Sequence, residues 1–233
     1  QKTLEEMRRD LTHNITHELK TPIAVANAAN DALLDFGAAD DATRRARYLR
    51  VIREQLAALG SMVERILTMS VEERGDISLR REELEIRPLL EEVAARFRMK
   101  SRGRATIEVE VEDPDLKISA DRFHLTHALD NLVDNALKYS GETVRIRLSA
   151  RHAGKGVELR VADNGIGIDR TAQAHIFEKF YRVPTGDRHD VKGFGLGLYY
   201  VWLIARKHGG EISVESTPGC GSTFKLTLSD DER

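Results

Sequence analysis

Residues 16–22 read Thr-His-Glu-Leu-Lys-Thr-Pro and lie within a longer helical pattern. The apolar residues around them recur at the three- and four-residue spacing of one helix face; they are Leu4, Met7, Leu11, Ile15, Leu19 and Leu33. At about 100° per residue, His17 lies roughly 200° from both Ile15 and Leu19. The pattern therefore predicts a water-exposed imidazole beside the carboxylate of Glu18. Most single histidines on helices are ordinary surface residues, so further motifs must decide whether His17 is reactive.

The bulk composition excludes several classes of protein. The 233 residues suffice for one large domain or two ordinary ones. A formal net charge of −2 gives no electrostatic basis for binding nucleic acid. The single cysteine, Cys220, excludes an intramolecular disulfide and suits a reducing compartment. No apolar run approaches the roughly 20 residues that cross a bilayer, and the chain begins at Gln1 inside a helical pattern, so we expect a fragment of a longer protein.

The first part of the chain predicts a helical hairpin. Helical patterns run from residue 2 to about 37 and from 41 to 73, with a glycine and candidate N-caps between them. Apolar residues of the second pattern form a heptad seam; they are Leu49, Ile52, Leu56, Leu59, Val63 and Ile66. Two long antiparallel helices bury little surface alone, so we expect two copies to form a four-helix bundle. The alternative is a hairpin packed on the C-terminal part of its own chain.

Beyond the charged turn at residues 72–76 the apolar period changes to two. Five alternating runs predict half-buried strands of one sheet with a wet face; they are residues 106–111, 144–148, 157–161, 211–215 and 223–228. Helical patterns fall at about residues 87–98, 121–139, 170–180 and 197–207. We therefore predict two domains, residues 1–73 and 74–233, the second an α/β sandwich with helices on one face of its sheet.

Polar residues line one face of the 121–139 helix. Asn131, Asn135 and Lys138 share that face, because they lie three, four or seven residues apart. The opposite side carries Leu125, Leu129, Leu132 and Ala136. Two amides offer neutral oxygen ligands for Mg²⁺, and the ammonium offers a cation for phosphate. A merely solvated polar face would show the same pattern.

Three further segments contain glycine turns. Residues 163–168, Asp-Asn-Gly-Ile-Gly-Ile, follow a strand, and their carboxylate can accept a hydrogen bond from the exocyclic amine of a base. Residues 193–198, Gly-Phe-Gly-Leu-Gly-Leu, precede a helix whose N-terminal amides can bind phosphate. They form neither a P-loop nor a Rossmann fingerprint. Residues 218–224, Pro-Gly-Cys-Gly-Ser-Thr-Phe, form a turn between strands. Each signal is weak by itself.

In this order and spacing, the four segments resemble the catalytic domain of sensor histidine kinases. Residues 177–182, Phe-Glu-Lys-Phe-Tyr-Arg, match the Phe-rich box of that family, and residues 16–22 match its phosphoacceptor box. The resemblance extends over about residues 2–228. It implies an α+β chain: an N-terminal antiparallel helical hairpin that forms a dimeric four-helix bundle, followed by an α/β sandwich of the gyrase, heat-shock-chaperone and histidine-kinase ATPase type.

The resemblance implies ATP-dependent, Mg²⁺-dependent autophosphorylation on His17 and phosphoryl transfer to an aspartate of a response regulator receiver domain. Glu18 would be the acid/base partner of His17, and Thr21 would serve phosphatase activity toward the regulator. Asn135 would be the main Mg²⁺ ligand, assisted by Asn131. The other nucleotide-binding residues implied are Lys138, Tyr139, Asp163, Gly165, Gly167, Tyr181, Arg182, Lys192, Gly193, Gly195, Leu196, Gly197 and Thr223.

Within that set, Lys138 and Arg182 would meet phosphates, Asp163 would bind the adenine amine and Tyr139 would pack near the base. Residues 181–192 would form a mobile lid. The resemblance also implies a homodimer and a cytoplasmic fragment of a parent protein anchored in the bacterial inner membrane through segments outside this chain.

Two positions depart from the family pattern. Leu11 stands where phenylalanine is usual, and Phe194 replaces a small hydroxyl residue, which puts a side-chain contact to phosphate there in doubt. The main alternative is an ATP-hydrolysing clamp of the gyrase or chaperone kind. Those proteins carry a glutamate base at the position of Asn131, and an amide cannot remove a proton. A second alternative is a degenerate kinase that acts only as a dimeric scaffold.

Overall fold

The computed structural model describes residues 4–34, 41–73, 79–141, 143–183 and 195–229. Within the first two helices, the side chains of residues 4–18, 61 and 64–73 are outside this description. The chain separates into two compact units, Gln1–Asp76 and Ile77–Arg233. Each unit has its own secondary structure, so each is described separately.

The first unit is a pair of long helices that pack against each other. They are α1, Leu4–Leu34, and α2, Ala42–Glu73. Asp41 caps α2, because its Oδ1 accepts the backbone N–H groups of Thr43 at 2.8 Å and Arg44 at 3.1 Å. Such a cap supplies an acceptor for first-turn donors that have no partner within the helix. Both predicted helices are confirmed.

One apolar row of α2 faces solvent in the single chain. Three residues at seven-residue spacing expose about half of their surface; they are Leu49 (53%), Leu56 (58%) and Val63 (48%). Ile52 and Leu59, from the same predicted seam, are half-buried, and the side chain of Ile66 lies outside the described residues. The seam therefore consists of an exposed row and a more buried one. An exposed apolar row at heptad spacing is typical of a helix that has a partner.

The described residues of the second unit form seven strands and four helices. The strands are β1 Arg81–Glu85, β2 Ala105–Val111, β3 Lys117–Asp121, β4 Val144–Ala153, β5 Gly156–Asp163, β6 Glu211–Thr217 and β7 Gly221–Ser229. The helices are α3 Ile86–Ser101, α4 Arg122–Tyr139, α5 Arg170–Gln173 and α6 Gly197–Lys207. Five strands form one sheet in the order β2-β4-β5-β7-β6. The β2–β4 pair is parallel and the other pairs are antiparallel.

The sheet has one apolar and one charged face, as its alternating sequence predicts. Leu148, Val161 and Phe224 are cross-strand neighbours and are buried in the same core as the inner faces of α3, α4 and α6. Arg160 and Lys225, one position away on β5 and β7, lie on the opposite face because side chains alternate along a strand. The predicted α/β sandwich is confirmed. None of the described helices is long and apolar enough to cross a bilayer.

A second, two-stranded sheet was not predicted. In it, β1 and β3 run antiparallel, with Leu84 opposite Ile118. β1 reads Arg-Glu-Glu-Leu-Glu and has one buried apolar side chain. One apolar residue among four charged ones shows no measurable period, so only pairing with a distant segment defines this strand.

The prediction of a helix over residues 170–180 is wrong beyond its first turn. α5 ends at Gln173. The N–H groups of His175 and Glu178 donate to carbonyls three residues earlier, at 2.9 and 2.8 Å. Phe180 then adopts a φ of 65°. A left-handed residue cannot continue a right-handed helix, so the segment turns instead.

Candidate functional site

α4 separates an apolar side from an amide-bearing edge. The helix is capped by Asp121, whose Oδ1 accepts the N–H of His124 at 3.0 Å. The predicted inner side is confirmed, since its four members are buried; they are Leu125, Leu129, Leu132 and Ala136. Asn131 and Asn135, one turn apart, are half-buried beside that core. The packing of α4 therefore places both residues at the edge of the core.

Asn131 lies directly against the start of α6. Its Nδ2 donates to the carbonyl of His127 at 3.0 Å, which leaves Oδ1 as the acceptor at the outer end. A Cβ added to Gly197 would lie only 2.6 Å from that Oδ1. Glycine at position 197 thus leaves room for the amide oxygen of Asn131 to lie against the first turn of α6. The structure brings together two predicted site residues that are far apart in sequence.

The N-terminus of α6 is suited to an anion. Its N-cap residue is Leu196, which is buried and makes no side-chain capping hydrogen bond. The first-turn N–H groups of a helix have no intrahelical partner and carry the positive end of the helix dipole. A phosphate beside Gly197 would meet these donors.

The turn before α6 is joined to the Phe-rich segment. The N–H of Phe180 donates to the carbonyl of Gly195 at 3.0 Å. Gly195 has a φ of 71°, and a Cβ there would lie 2.7 Å from the carbonyl carbon of Phe180 and from the carbonyl oxygen of Tyr181. Glycine is therefore required at position 195 on two counts. The half-buried ring of Tyr181 lies 5.6 Å from that of His175.

Asp163 ends β5 with a partly buried carboxylate. Its Oδ1 accepts the N–H of Gly165 at 2.7 Å. Burial raises the pKa of Asp163 above its ordinary value, while hydrogen bonds from the backbone N–H groups of Gly165 and Ser222 act in the opposite direction. A hydrogen bond from a ligand donor such as an amine would stabilise this incompletely solvated carboxylate.

The C-terminus of α4 abuts this carboxylate. Ile166 donates its N–H to the carbonyl of Tyr139 at 3.0 Å, and a Cβ on Gly165 would lie 2.8 Å from the same oxygen. Gly167, at a φ of 70°, approaches the carbonyl of Thr217 so closely that a Cβ would lie 2.1 Å from it. Asn131 and Tyr139 are separated by about 12 Å along α4. The site therefore suits an elongated ligand, with an anion at one end and a base at the other.

Ser222, rather than Thr223, shares the face of Asp163. Ser222 is opposite Asp163 in the β5–β7 register and is buried, with its Oγ 2.9 Å from Oγ of Ser216. Thr223 lies between two buried neighbours, Ser222 and Phe224, and so points to the charged face. The structure therefore does not place Thr223 on the face of Asp163. Sequence reasoning missed Ser222, although the alternation from the apolar Phe224 carried the signal.

Lys138 is held by a carboxylate at the edge of the site. Its Nζ lies 2.5 Å from Oδ2 of Asp134, while Nζ of Lys100, on α3, lies 2.7 Å from Oδ1. Burial raises the pKa of Asp134, but the hydrogen bonds and charges of the two ammonium groups outweigh it, and the pKa lies below its ordinary value. Neither lysine was predicted to pair with this carboxylate.

The remaining predicted residues lie at or beyond the end of the described segment 143–183. Arg182 is exposed. Lys192 and Gly193, with Phe194 between the glycines, lie outside the described residues.

The predicted phosphoacceptor box lies on α1 in the first unit. His17 and Glu18 are helical, but their side chains are outside the description. Thr21 is exposed, and Pro22 lies within the helix, where it removes one backbone hydrogen bond in the turn after the histidine.

Two family models match the chain in succession. Residues 7–75 match the "His Kinase A (phospho-acceptor) domain", and residues 120–232 match the "Histidine kinase-, DNA gyrase B-, and HSP90-like ATPase". Sensor protein RprX of Bacteroides fragilis is 37% identical over 233 residues, which cover 98% of this chain and 44% of the relative. Sensor-like histidine kinase SenX3 of Mycobacterium tuberculosis is 34% identical over 226 residues, covering 97% and 54%. The chain thus spans about half the length of these curated relatives.

A solved structure shares the fold over both units. It is the histidine kinase ThkA in complex with the response regulator protein TrrA, with a TM-score of 0.63 and 25% identity, covering 95% of this chain and 61% of that chain. Because both domain models match this chain and sensor proteins match nearly all of it, the chain belongs to the sensor histidine kinases of two-component systems.

Proposed function

We propose that this chain transfers the γ-phosphoryl group of ATP to His17 and from there to an aspartate of a response regulator. The observation that carries the proposal is the amide oxygen of Asn131 against the N-terminus of α6 at Gly197, where the N-cap residue Leu196 makes no side-chain capping hydrogen bond. An oxygen ligand for a cation and amide donors for a phosphate meet at that point. The membership of the chain in the sensor histidine kinases supports the choice of histidine as acceptor.

Each part of the nucleotide has a group suited to it. The carboxylate of Asp163 would accept the exocyclic amine of adenine, beside Tyr139. The α6 N–H groups and the ammonium of Lys138 would bind phosphate oxygens. Mg²⁺, held by the amide oxygens of Asn135 and Asn131, would neutralise phosphate charge.

The transfer itself requires positioning more than covalent help from the protein. A ring nitrogen of His17 attacks the γ-phosphorus in line; the N–P bond forms as the bond to the bridging oxygen breaks, and that electron pair leaves with ADP. The neutral form of an imidazole carries the nitrogen lone pair that makes this attack. Glu18 would accept the N–H of the other ring nitrogen and fix the tautomer. A receiver carboxylate then takes the phosphoryl group and restores the imidazole.

Direct hydrolysis of ATP is disfavoured by the same site. Asn131 occupies the position where clamp ATPases use a glutamate base, and its Nδ2 already donates to the carbonyl of His127. A general base contributes about 10²–10⁴ in rate. Water attack in this pocket therefore lacks its main activator.

We assign residues 1–73 to dimerisation and phosphotransfer and residues 74–233 to ATP binding. The exposed row of Leu49, Leu56 and Val63 supports a homodimer, since a second hairpin would cover it. The receiver partner is supported by the ThkA–TrrA complex, in which a relative binds a response regulator. Thr21, exposed one turn after His17, is proposed to orient water for dephosphorylation of the regulator.

The relatives also support a proposal for the location of the parent protein. They are sensor proteins of about twice this length. We propose that this chain is the cytoplasmic part of a protein whose other segments anchor it in the membrane.

Incubation with γ-labelled ATP and Mg²⁺ tests the proposal. Wild type and the His13→Gln control should acquire a label that is labile in acid and stable in alkali, as a phosphoramidate is. His17→Gln should bind ATP without becoming labelled. Full labelling of His17→Gln would exclude His17 as the acceptor. Rapid phosphate release by the same variant would favour a clamp ATPase instead.

A further inference from the structure

Two carboxylates of α4 are bridged to α3 one turn apart. Oδ1 of Asp130 lies 2.7 Å from Nη2 of Arg96, and Oδ1 of Asp134 lies 2.7 Å from Nζ of Lys100. The second bridge differs from the first because Oδ2 of Asp134 also contacts Lys138, at 2.5 Å. One carboxylate therefore holds two ammonium groups, one from each helix.

The contact with Asp134 turns the ammonium of Lys138 away from the helix face on which it is proposed to bind phosphate. Viewed down α4, with Asn131 at zero, Asn135 lies at about +40°, Lys138 at about −20° and Asp134 at about −60°. The backbone of Lys138 thus stands between the amides and Asp134. Its ammonium is turned to the Asp134 side, away from Asn135.

The ion pair between Lys138 and Asp134 is partly exposed, so it orients the ammonium of Lys138 but can be broken by a competing anion. The side chains of Lys138 and Lys100 are 43% and 62% exposed, and that of Asp134 is 24% exposed. Solvent reduces the free energy of such pairs to a fraction of that of a buried pair. A phosphate carries more charge than a carboxylate and competes for the same ammonium.

We propose that Asp134 is a positioning residue that holds Lys138 away from the phosphate-binding face until nucleotide binds. The inference rests on the proposed ATP site. On binding, the ammonium of Lys138 moves from Oδ2 of Asp134 to a phosphate oxygen. Lys100 stays on Oδ1 and keeps the carboxylate compensated. Asp134 and Lys100 together therefore determine the free energy needed to move the ammonium of Lys138 from Asp134 to phosphate.

The exchange predicts opposite effects for the two partners. Asp134→Asn should tighten binding of ATP·Mg²⁺ about threefold, because Lys138 no longer has to leave a carboxylate. Lys100→Met should weaken it by a similar factor, because Lys138 then becomes the principal counter-charge of Asp134. Binding of AMP should change little in either variant, since it lacks the β- and γ-phosphates.

Isothermal titration calorimetry of the full chain at physiological salt provides the test, with thermal unfolding to verify the fold. Asp130→Asn is the matched control, because it removes the same charge from the same helix one turn earlier. The decisive variant is Asp134→Asn combined with Lys138→Met. This double variant should bind ATP·Mg²⁺ no more tightly than Lys138→Met alone, because the threefold gain in affinity operates through Lys138.

The outcomes separate the inference from the function. An equal gain in Asp130→Asn, or a gain that persists without Lys138, would mean a general charge effect and overturn the inference alone. Weaker binding by Asp134→Asn would mean that Asp134 orients Lys138 toward phosphate, and also overturns it. Absence of ATP binding by the wild type would overturn the proposed function together with the inference.

Discussion

Gly197→Ala is expected to weaken nucleotide binding while leaving the fold intact. The new Cβ would lie 2.6 Å from Oδ1 and 3.4 Å from Cγ of Asn131, inside normal contact distance. The nearest atom is the end of a side chain, so the carboxamide can rotate away without moving either helix. Position 197 is in the first turn of α6, where alanine is readily accommodated.

The opposing contributions to stability nearly cancel. Alanine in place of glycine stabilises a helix by up to about 1 kcal/mol. Rotation of Asn131 breaks its hydrogen bond to the carbonyl of His127, which costs about 1 kcal/mol. The free energy of unfolding should therefore change by less than about 1 kcal/mol. Binding loses one amide contact, worth about 1.4 kcal/mol or a tenfold rise in Kd.

Calorimetric titration with ATP, with and without Mg²⁺, combined with urea denaturation, measures both effects. The loss of affinity should be larger with Mg²⁺, because Asn131 is proposed to contact the ion. Gly60→Ala in α2 is the control, since a Cβ there meets nothing within 4 Å among the described residues, and its Kd should match wild type. An unchanged Kd for Gly197→Ala at unchanged stability would refute the placement of Asn131 at the phosphates. Loss of several kcal/mol of stability would refute the side-chain rotation.

Asp163→Asn should raise the free energy of unfolding at pH 7, because burial raises the folded-state pKa of Asp163 and penalises its charged form. This gain in stability should vanish below pH 3.8, the ordinary aspartate pKa, because Asp163 is then neutral in both states. Denaturation at several pH values measures it. The same variant should lose affinity for ATP but not for purine riboside triphosphate. Gly167→Ala should lower the free energy of unfolding by more than about 2 kcal/mol. The new Cβ would lie 2.1 Å from the backbone carbonyl of Thr217, and no change of side-chain rotamer can relieve that clash. Leu56→Glu should convert a dimer to monomer in sedimentation while the second unit still binds ATP; a monomeric wild type at micromolar concentration contradicts the dimer.

The sequence alone determined the elements whose signal is local. Apolar spacing located both long helices, and alternation located all five strands of the main sheet, because each pattern is repeated several times within one segment. The face shared by Asn131 and Asn135 follows from helix geometry, and the predicted apolar side of α4, opposite to it, is buried. Motif order and spacing then sufficed for the family.

Only the tertiary structure decided features that depend on a distant segment. β1 and β3 have too few apolar residues to be strands except with each other. The segment after α5 turns at Phe180, whose N–H is bonded to Gly195. The position of the Lys138 ammonium is set by Asp134, a neighbour on its own helix that Lys100 of another helix also binds. Spacing along one element predicts which residues share a face, but a side chain's partner depends on what packs beside that face, and this is known only once the chain has folded.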